Sequence, residues 1–89
     1  MRAEIEMGWY LYVLRCNDNT MYTGVTTNLA RRLNEHNASP RAAKYTKSRR
    51  PVKLVYWVAF SDRSSAQKAE YKFKQLTRKQ KEKIIDEAS

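Results

Sequence analysis

One stretch constrains the fold more than any other. "WYLYVL" at residues 9–14 is aromatic and β-branched, "RCNDNT" supplies turn formers, and "MYTGVT" at 21–26 resumes a strand pattern. This order predicts a β-hairpin. Period-two alternation puts Tyr10, Tyr12 and Leu14 on one face of the first strand, with Trp9, Leu11 and Val13 on the other. Tyr22 joins Tyr12 on its face if the hairpin register brings the two to the same side.

Beyond the hairpin, Thr27 or Asn28 can cap a helix that carries Leu29 and Leu33 and runs to about Asn37, where "NASP" stops it. "RAAKYTKSRRP" is a basic connection with room for a short helical turn, and Pro51 ends it. The following run, "VKLVYWVAF", is apolar on both parities, as expected of a strand buried on both faces, so it is predicted to lie at the centre of the sheet. "SDRSS" then caps a helix through "AQKAEYKFKQL", and "TRKQKEKIIDEA" gives a last helix or a bent continuation. The order β-β-α-β-α-α predicts an α/β fold with a small three-stranded sheet flanked by helices. At 89 residues the chain has room for one domain with a modest core, expected at 9–86 behind an N-terminal arm at 1–8.

Charge narrows the partners. Eighteen Lys and Arg against nine Asp and Glu give a formal charge of +9, which favours phosphate polymers. No apolar run approaches the ~18 residues of a membrane span, and no signal peptide or amphipathic anchor is read, so a cytoplasmic protein without membrane association is expected. Cys16 is the sole cysteine and His36 the sole histidine, which excludes a disulfide framework and a closed zinc site. Any bound metal would need oxygen ligands.

At 100° per residue, Leu29 and Leu33 define the buried stripe of the first helix, and Arg32 and His36 fall within roughly 60° of Leu29. Arg31 points the other way. Geometry alone leaves Arg32 as either a snorkelling charge in a structural salt bridge or a group aimed at a phosphate, and His36 as either a helix-end residue or a site residue. In the next long helix, Ala66, Ala69, Phe73 and Leu76 make the apolar face, with Glu70 inside that arc. A carboxylate aimed inward needs a cation, either a basic side chain such as Arg32 or a divalent metal.

Taken in order, these residues resemble the GIY-YIG nuclease superfamily, in particular its small stand-alone bacterial members. "YTG" at 22–24 stands for YIG and is followed at the family's spacing by "NLARRLNEHN", with Arg32 and His36. "YLY" at 10–12 stands where GIY would and keeps only the final tyrosine. "KYTKSRRPVKLVY" and "AEYKFKQLTRKQKEKII" extend the resemblance over 9–85. Two departures stand out: the glycine and isoleucine positions of the first tripeptide hold Tyr10 and Leu11, and no asparagine follows Glu70.

The resemblance implies that Tyr12 and Tyr22 line the site, one of them activating water, and that Arg32 stabilises phosphate charge. It further implies that His36 assists the tyrosine or contacts the phosphate, and that Glu70 holds Mg²⁺ or Mn²⁺. Tyrosine is a poor base at its free pKa of ~10, so nearby positive charge from Arg32, His36 and the metal is expected to lower that value. Gly24 fits a close approach by backbone or ligand, or a β-bulge. The basic connection is the expected DNA track, with Lys44, Lys47, Arg49 and Arg50 for phosphates and Tyr45 to stack on an unpaired base. Nothing in it resembles a base-reading helix. The leading function is metal-dependent hydrolysis of DNA phosphodiesters, structure- or end-directed, in repair or processing. The alternatives are a nucleic-acid-binding module with little or no turnover, and a protein-interaction adaptor.

Overall fold

The computed structural model describes residues 8–88, and the arm expected at 1–8 lies, apart from Gly8, outside the described residues. The hairpin forms as β1 (Trp9–Arg15) and β2 (Met21–Thr26), and it is followed by α1 (Leu29–Ala38), α2 (Lys44–Lys47), β3 (Lys53–Phe60), α3 (Arg63–Lys74) and α4 (Arg78–Ala88). The hairpin loop is closed by its own side chains. Asp18 accepts from the Thr20 amide at 3.1 Å and its hydroxyl at 2.6 Å, and Asn19 takes the left-handed conformation (φ 69°) that asparagine tolerates.

Asn28 caps α1 by accepting from the Arg31 amide, and Asp62 caps α3 by accepting from the Ser65 amide. The far end of α1 is closed by side chains too. Arg50 donates to the carbonyls of His36 and Ser39, both at 2.6 Å, and Asn37 exchanges two hydrogen bonds with the backbone of Val52. These contacts lash the segment before β3 onto α1.

The three strands are antiparallel in the order β2-β1-β3. The central strand is therefore β1, and the expectation that "VKLVYWVAF" would be central is overturned. The cause lies in how β3 uses its two apolar parities. Tyr56 and Phe60 pack with Phe73 and Ile85 under α3 and α4, whereas Trp57 on the opposite face stays 53% exposed, its ring edge-on to Tyr10. Apolar character on both parities thus marks an edge strand with one partly covered aromatic face. The same pattern in β1 does mean full burial, with Leu11, Tyr12, Val13 and Leu14 all buried.

Two cores follow from the alternation in β1. Leu11 and Val13 meet Phe73 of α3 and Ile85 of α4 on one face, while Tyr12 and Leu14 meet Leu29 and Leu33 of α1 on the other. Arg15, at the end of β1, forms a bidentate pair with Glu82 of α4 at 2.6 and 3.0 Å, and this guanidinium holds the Glu82 carboxyl down at about 2. Among the described residues, no helix is long and apolar enough to cross a membrane.

Candidate functional site

The site gathers on the α1 face of the sheet and along the outer edge of β2. Register pairs Tyr12 with Gly24 and Leu14 with Tyr22, so both tyrosines project to the α1 face, their ring centroids 6.4 Å apart. Gly24 has a concrete reason to lack a side chain. A Cβ there would stand 2.6 Å from the Tyr12 hydroxyl and 2.8 Å from its Cζ, so the close approach is made by the Tyr12 ring rather than by a ligand.

From α1, His36 inserts between the tyrosines and α2, fully buried, 5.7 Å from the Tyr12 ring and 5.2 Å from the Tyr22 ring. Its Nε2 lies 2.8 Å from the Tyr12 hydroxyl and its Nδ1 2.7 Å from the Thr46 hydroxyl, which in turn donates to the Ala43 carbonyl at 3.0 Å. The Arg32 charge favours ionisation of Tyr12 against the burial that opposes it. The buried Tyr12 proton needs an acceptor, and His36 Nε2 is in place to be one. The hydrogen of the neutral ring can sit on Nδ1, toward Thr46, or on Nε2, toward Tyr12. Every buried side-chain polar atom among the described residues is satisfied.

The electrostatics differ from the expectation in one respect. Burial pushes the Tyr12 phenol up to about 12, and Arg32 offsets this only in part. Burial and the Arg32 charge push His36 down to about 4, so the imidazole is neutral and brings no positive charge to the tyrosine. The expected lowering of the Tyr12 pKa is absent from the free protein.

The two adjacent arginines separate. The Arg31 side chain is 58% exposed and that of Arg32 23%. Arg32 pairs with Glu35 at 3.0 Å and donates to the Arg41 carbonyl at 2.9 Å. The Glu70 to Arg32 pair weighed from sequence does not form; Glu70, half-buried on α3, pairs with Lys74 at 3.2 Å through Oε2. Its charge opposes ionisation of Tyr12, as the smallest of the effects on that phenol.

Because β2 is an edge strand, both faces of the sheet reach its rim. A cleft of about 270 Å³ there is lined by Met21, Tyr22 and Thr23 of β2, Tyr45 of α2, Lys74 of α3 and Lys81 of α4. Tyr45 stacks on Tyr22 at 6.1 Å and carries the Arg49 guanidinium 3.8 Å from its ring centroid. Lys44 and Lys47 are exposed on α2. Arg49 and Arg50 are engaged within the fold, Arg49 with Asp18 at 3.0 Å and Arg50 with the carbonyls at the end of α1.

Among the described residues, no cluster of three or more His, Cys, Asp and Glu could hold a metal by itself. Of the site residues expected from sequence, the one carboxylate is Glu70. That fits an ion such as magnesium, which keeps several waters and is shared with substrate phosphates, and does not fit a closed protein cage. Thr46, Glu35 and Lys74 were not singled out from sequence. Glu35 shares a helix face with Arg31 and Arg32 at spacings of four and three, a visible signal; Thr46 sits in a basic tetrapeptide that gives none.

Such a fold and site define a small basic α/β domain in which two tyrosines and a histidine meet on the sheet face covered by α1, which also carries Arg32, beside a basic cleft at the sheet edge. A sequence model of the GIY-YIG catalytic domain matches residues 8–83, and the chain belongs to that family. A UPF0213 protein of Pediococcus pentosaceus is 53% identical over 85 residues, covering 96% of this chain and 88% of that protein. Another, from Desulfotalea psychrophila, is 52% identical over 77 residues, covering 86% and 70%. The solution NMR structure of a UPF0213 protein from Bacillus halodurans aligns with a TM-score of 0.57 at 42% identity, over 88% of this chain and 82% of that one. An NMR structure from E. faecalis gives 0.59 at 51%, over 86% and 81%.

Proposed function

We propose that this protein is a nuclease that hydrolyses DNA phosphodiester bonds with the help of Mg²⁺ or Mn²⁺. Membership of the GIY-YIG family supports a nuclease-type activity on nucleic acid. The observation that carries the reading is the Tyr12–His36 hydrogen bond at 2.8 Å, because it gives a buried hydroxyl a proton acceptor, while the Arg32 charge favours ionisation of the same phenol.

Tyr12 takes a proton from water while passing its own to His36 Nε2, so no free tyrosinate has to form against a pKa of about 12. At rest the relay is held neutral. A bound phosphodiester brings negative charge beside Arg32 and raises the proton affinity of the imidazole, which readies it to receive. Arg32 faces the charge that grows on the phosphoryl oxygens, and Tyr22 walls the other side. Glu70 would hold the metal once Lys74 yields its carboxylate; the ion would supply charge neutralisation at the leaving oxygen. Lys44 and Lys47 are the exposed cations for the DNA backbone, with Lys74 and Lys81 along the cleft. Nothing in this arrangement reads bases, so DNA structure or strand ends select the substrate, as suits repair or processing.

The test is incubation with a panel of labelled flaps, nicks, single strands and ends plus Mg²⁺ or Mn²⁺, with Glu70→Ala alongside. Cleavage that needs metal and is lost in Glu70→Ala, with DNA binding kept, supports the reading. Tight binding without cleavage of any substrate would favour a binding module, which the altered first tripeptide motivates.

A further inference from the structure

We propose that Thr46 is a positioning residue, which fixes the single histidine in the tautomer able to receive the Tyr12 proton. The inference deepens the nuclease reading and rests on it for its catalytic consequence, but the tautomer itself can be measured without any activity.

Thr46 is fully buried, although the residues on either side of it in α2, Tyr45 and Lys47, are exposed. Its hydroxyl has one proton, which we assign to the 3.0 Å bond to the Ala43 carbonyl. The oxygen facing His36 Nδ1 at 2.7 Å is then an acceptor only, and it demands a hydrogen on Nδ1. A neutral imidazole protonated at Nδ1 has a bare Nε2, and that is the atom 2.8 Å from the Tyr12 hydroxyl. The reverse tautomer would point two donors at each other between His36 and Tyr12, or leave the buried phenol proton without an acceptor, which is costly. A hydroxyl at position 46, ten residues away in sequence, therefore sets the direction of proton transfer. Valine has the same shape without the acceptor. In Thr46→Val, a hydrogen on Nδ1 would be buried unpaired, so the imidazole should move its proton to Nε2 and turn from acceptor to donor toward Tyr12.

The chain has one histidine, so ¹⁵N spectra of the ring report His36 without assignment ambiguity. The parent and Thr46→Ser should show protonated Nδ1 and bare Nε2, whereas Thr46→Val should show the reverse or a mixture. On the preferred DNA substrate, Thr46→Val should lower kcat by on the order of 10²- to 10⁴-fold, the scale of general acid–base assistance, with KM within a few-fold. Thr46→Ser should restore most of it. A parent with the proton on Nε2 overturns the proposal, as does a folded Thr46→Val that keeps protonated Nδ1 or full kcat. If Thr46→Val does not fold, Thr46→Ala and the parent's own spectrum decide on the same criteria. A parent with the expected tautomer that cuts no DNA would sink the nuclease reading and leave the tautomer assignment standing.

Discussion

The buried histidine should make this protein sensitive to acid in a narrow window. His36 is fully buried between Tyr12 and Thr46, and its pKa falls from an ordinary 6.5 to about 4 because of burial and the Arg32 charge. Between those values the unfolded chain holds a proton that the folded one refuses, so acid favours unfolding. Stability is complete above the unfolded value and is lost progressively as pH drops toward 4. A depression of about 2.5 units corresponds to roughly 3 kcal/mol in full, of which about 2 kcal/mol should be gone at pH 5. Asp18, Glu35 and Asp62 are held below the usual carboxylate range by their hydrogen-bonding partners, and Glu82 at about 2, so their titration is displaced to the acid side of that of His36 in the unfolded chain. Urea denaturation at pH 7 and pH 5 is the assay. With a slope of ~1–2 kcal/mol/M, the midpoint should fall by roughly 1–2 M. His36→Gln, folded, should lose most of the pH dependence, and an NMR titration of the parent should find the imidazole neutral at pH 5. Equal stability at pH 7 and pH 5, or a His36→Gln variant as acid-sensitive as the parent, would refute the reasoning.

Other perturbations separate the parts of the site. Arg32→Ala should lower turnover by ~100-fold or more in single-turnover assays, the scale of removing one stabiliser of a developing oxyanion, while Arg31→Ala stays within a few-fold and alters only salt-dependent affinity. Gly24→Ala should press a Cβ into the Tyr12 hydroxyl and cost about 1–3 kcal/mol by thermal melting, with loss of turnover as the Tyr12–His36 bond is displaced. Replacing Lys44 and Lys47 by Gln should flatten log K against log[salt] by ~0.7–0.9 for each DNA phosphate that the lysines no longer neutralise, while leaving the melting temperature nearly unchanged. Arg50→Ala should behave oppositely and lower stability, because Arg50 bonds the carbonyls at the end of α1.

Sequence carried much of this. The hairpin, the Asn28 cap, the separation of Arg31 from Arg32 and the inward aim of His36 all follow from local rules of period and capping. What local rules miss is the choice of neighbour. β3 is apolar on both parities, as β1 is, and only the pairing decides that β1 lies between the other two. Glu70 needed a cation, but its distance from Arg32 depends on how α3 sits across the sheet, and Lys74 one turn away was nearer. The basic connection read as a uniform track, yet the fold commits Arg49 and Arg50 to Asp18 and the α1 carbonyls and leaves Lys44 and Lys47 outward. Thr46 carried no signal because its role depends on a ring ten residues upstream.

The most direct measurement on the central claim is single-turnover cleavage of a labelled DNA substrate by the parent and by Tyr12→Phe, which removes one oxygen and leaves the ring over Gly24. DNA binding is measured in parallel. If Tyr12 relays the proton of water to His36, Tyr12→Phe should bind DNA like the parent and cut it at least ~100-fold more slowly in Mg²⁺ or Mn²⁺. A folded Tyr12→Phe that binds and cuts as fast as the parent would contradict the claim that this cluster performs the hydrolysis.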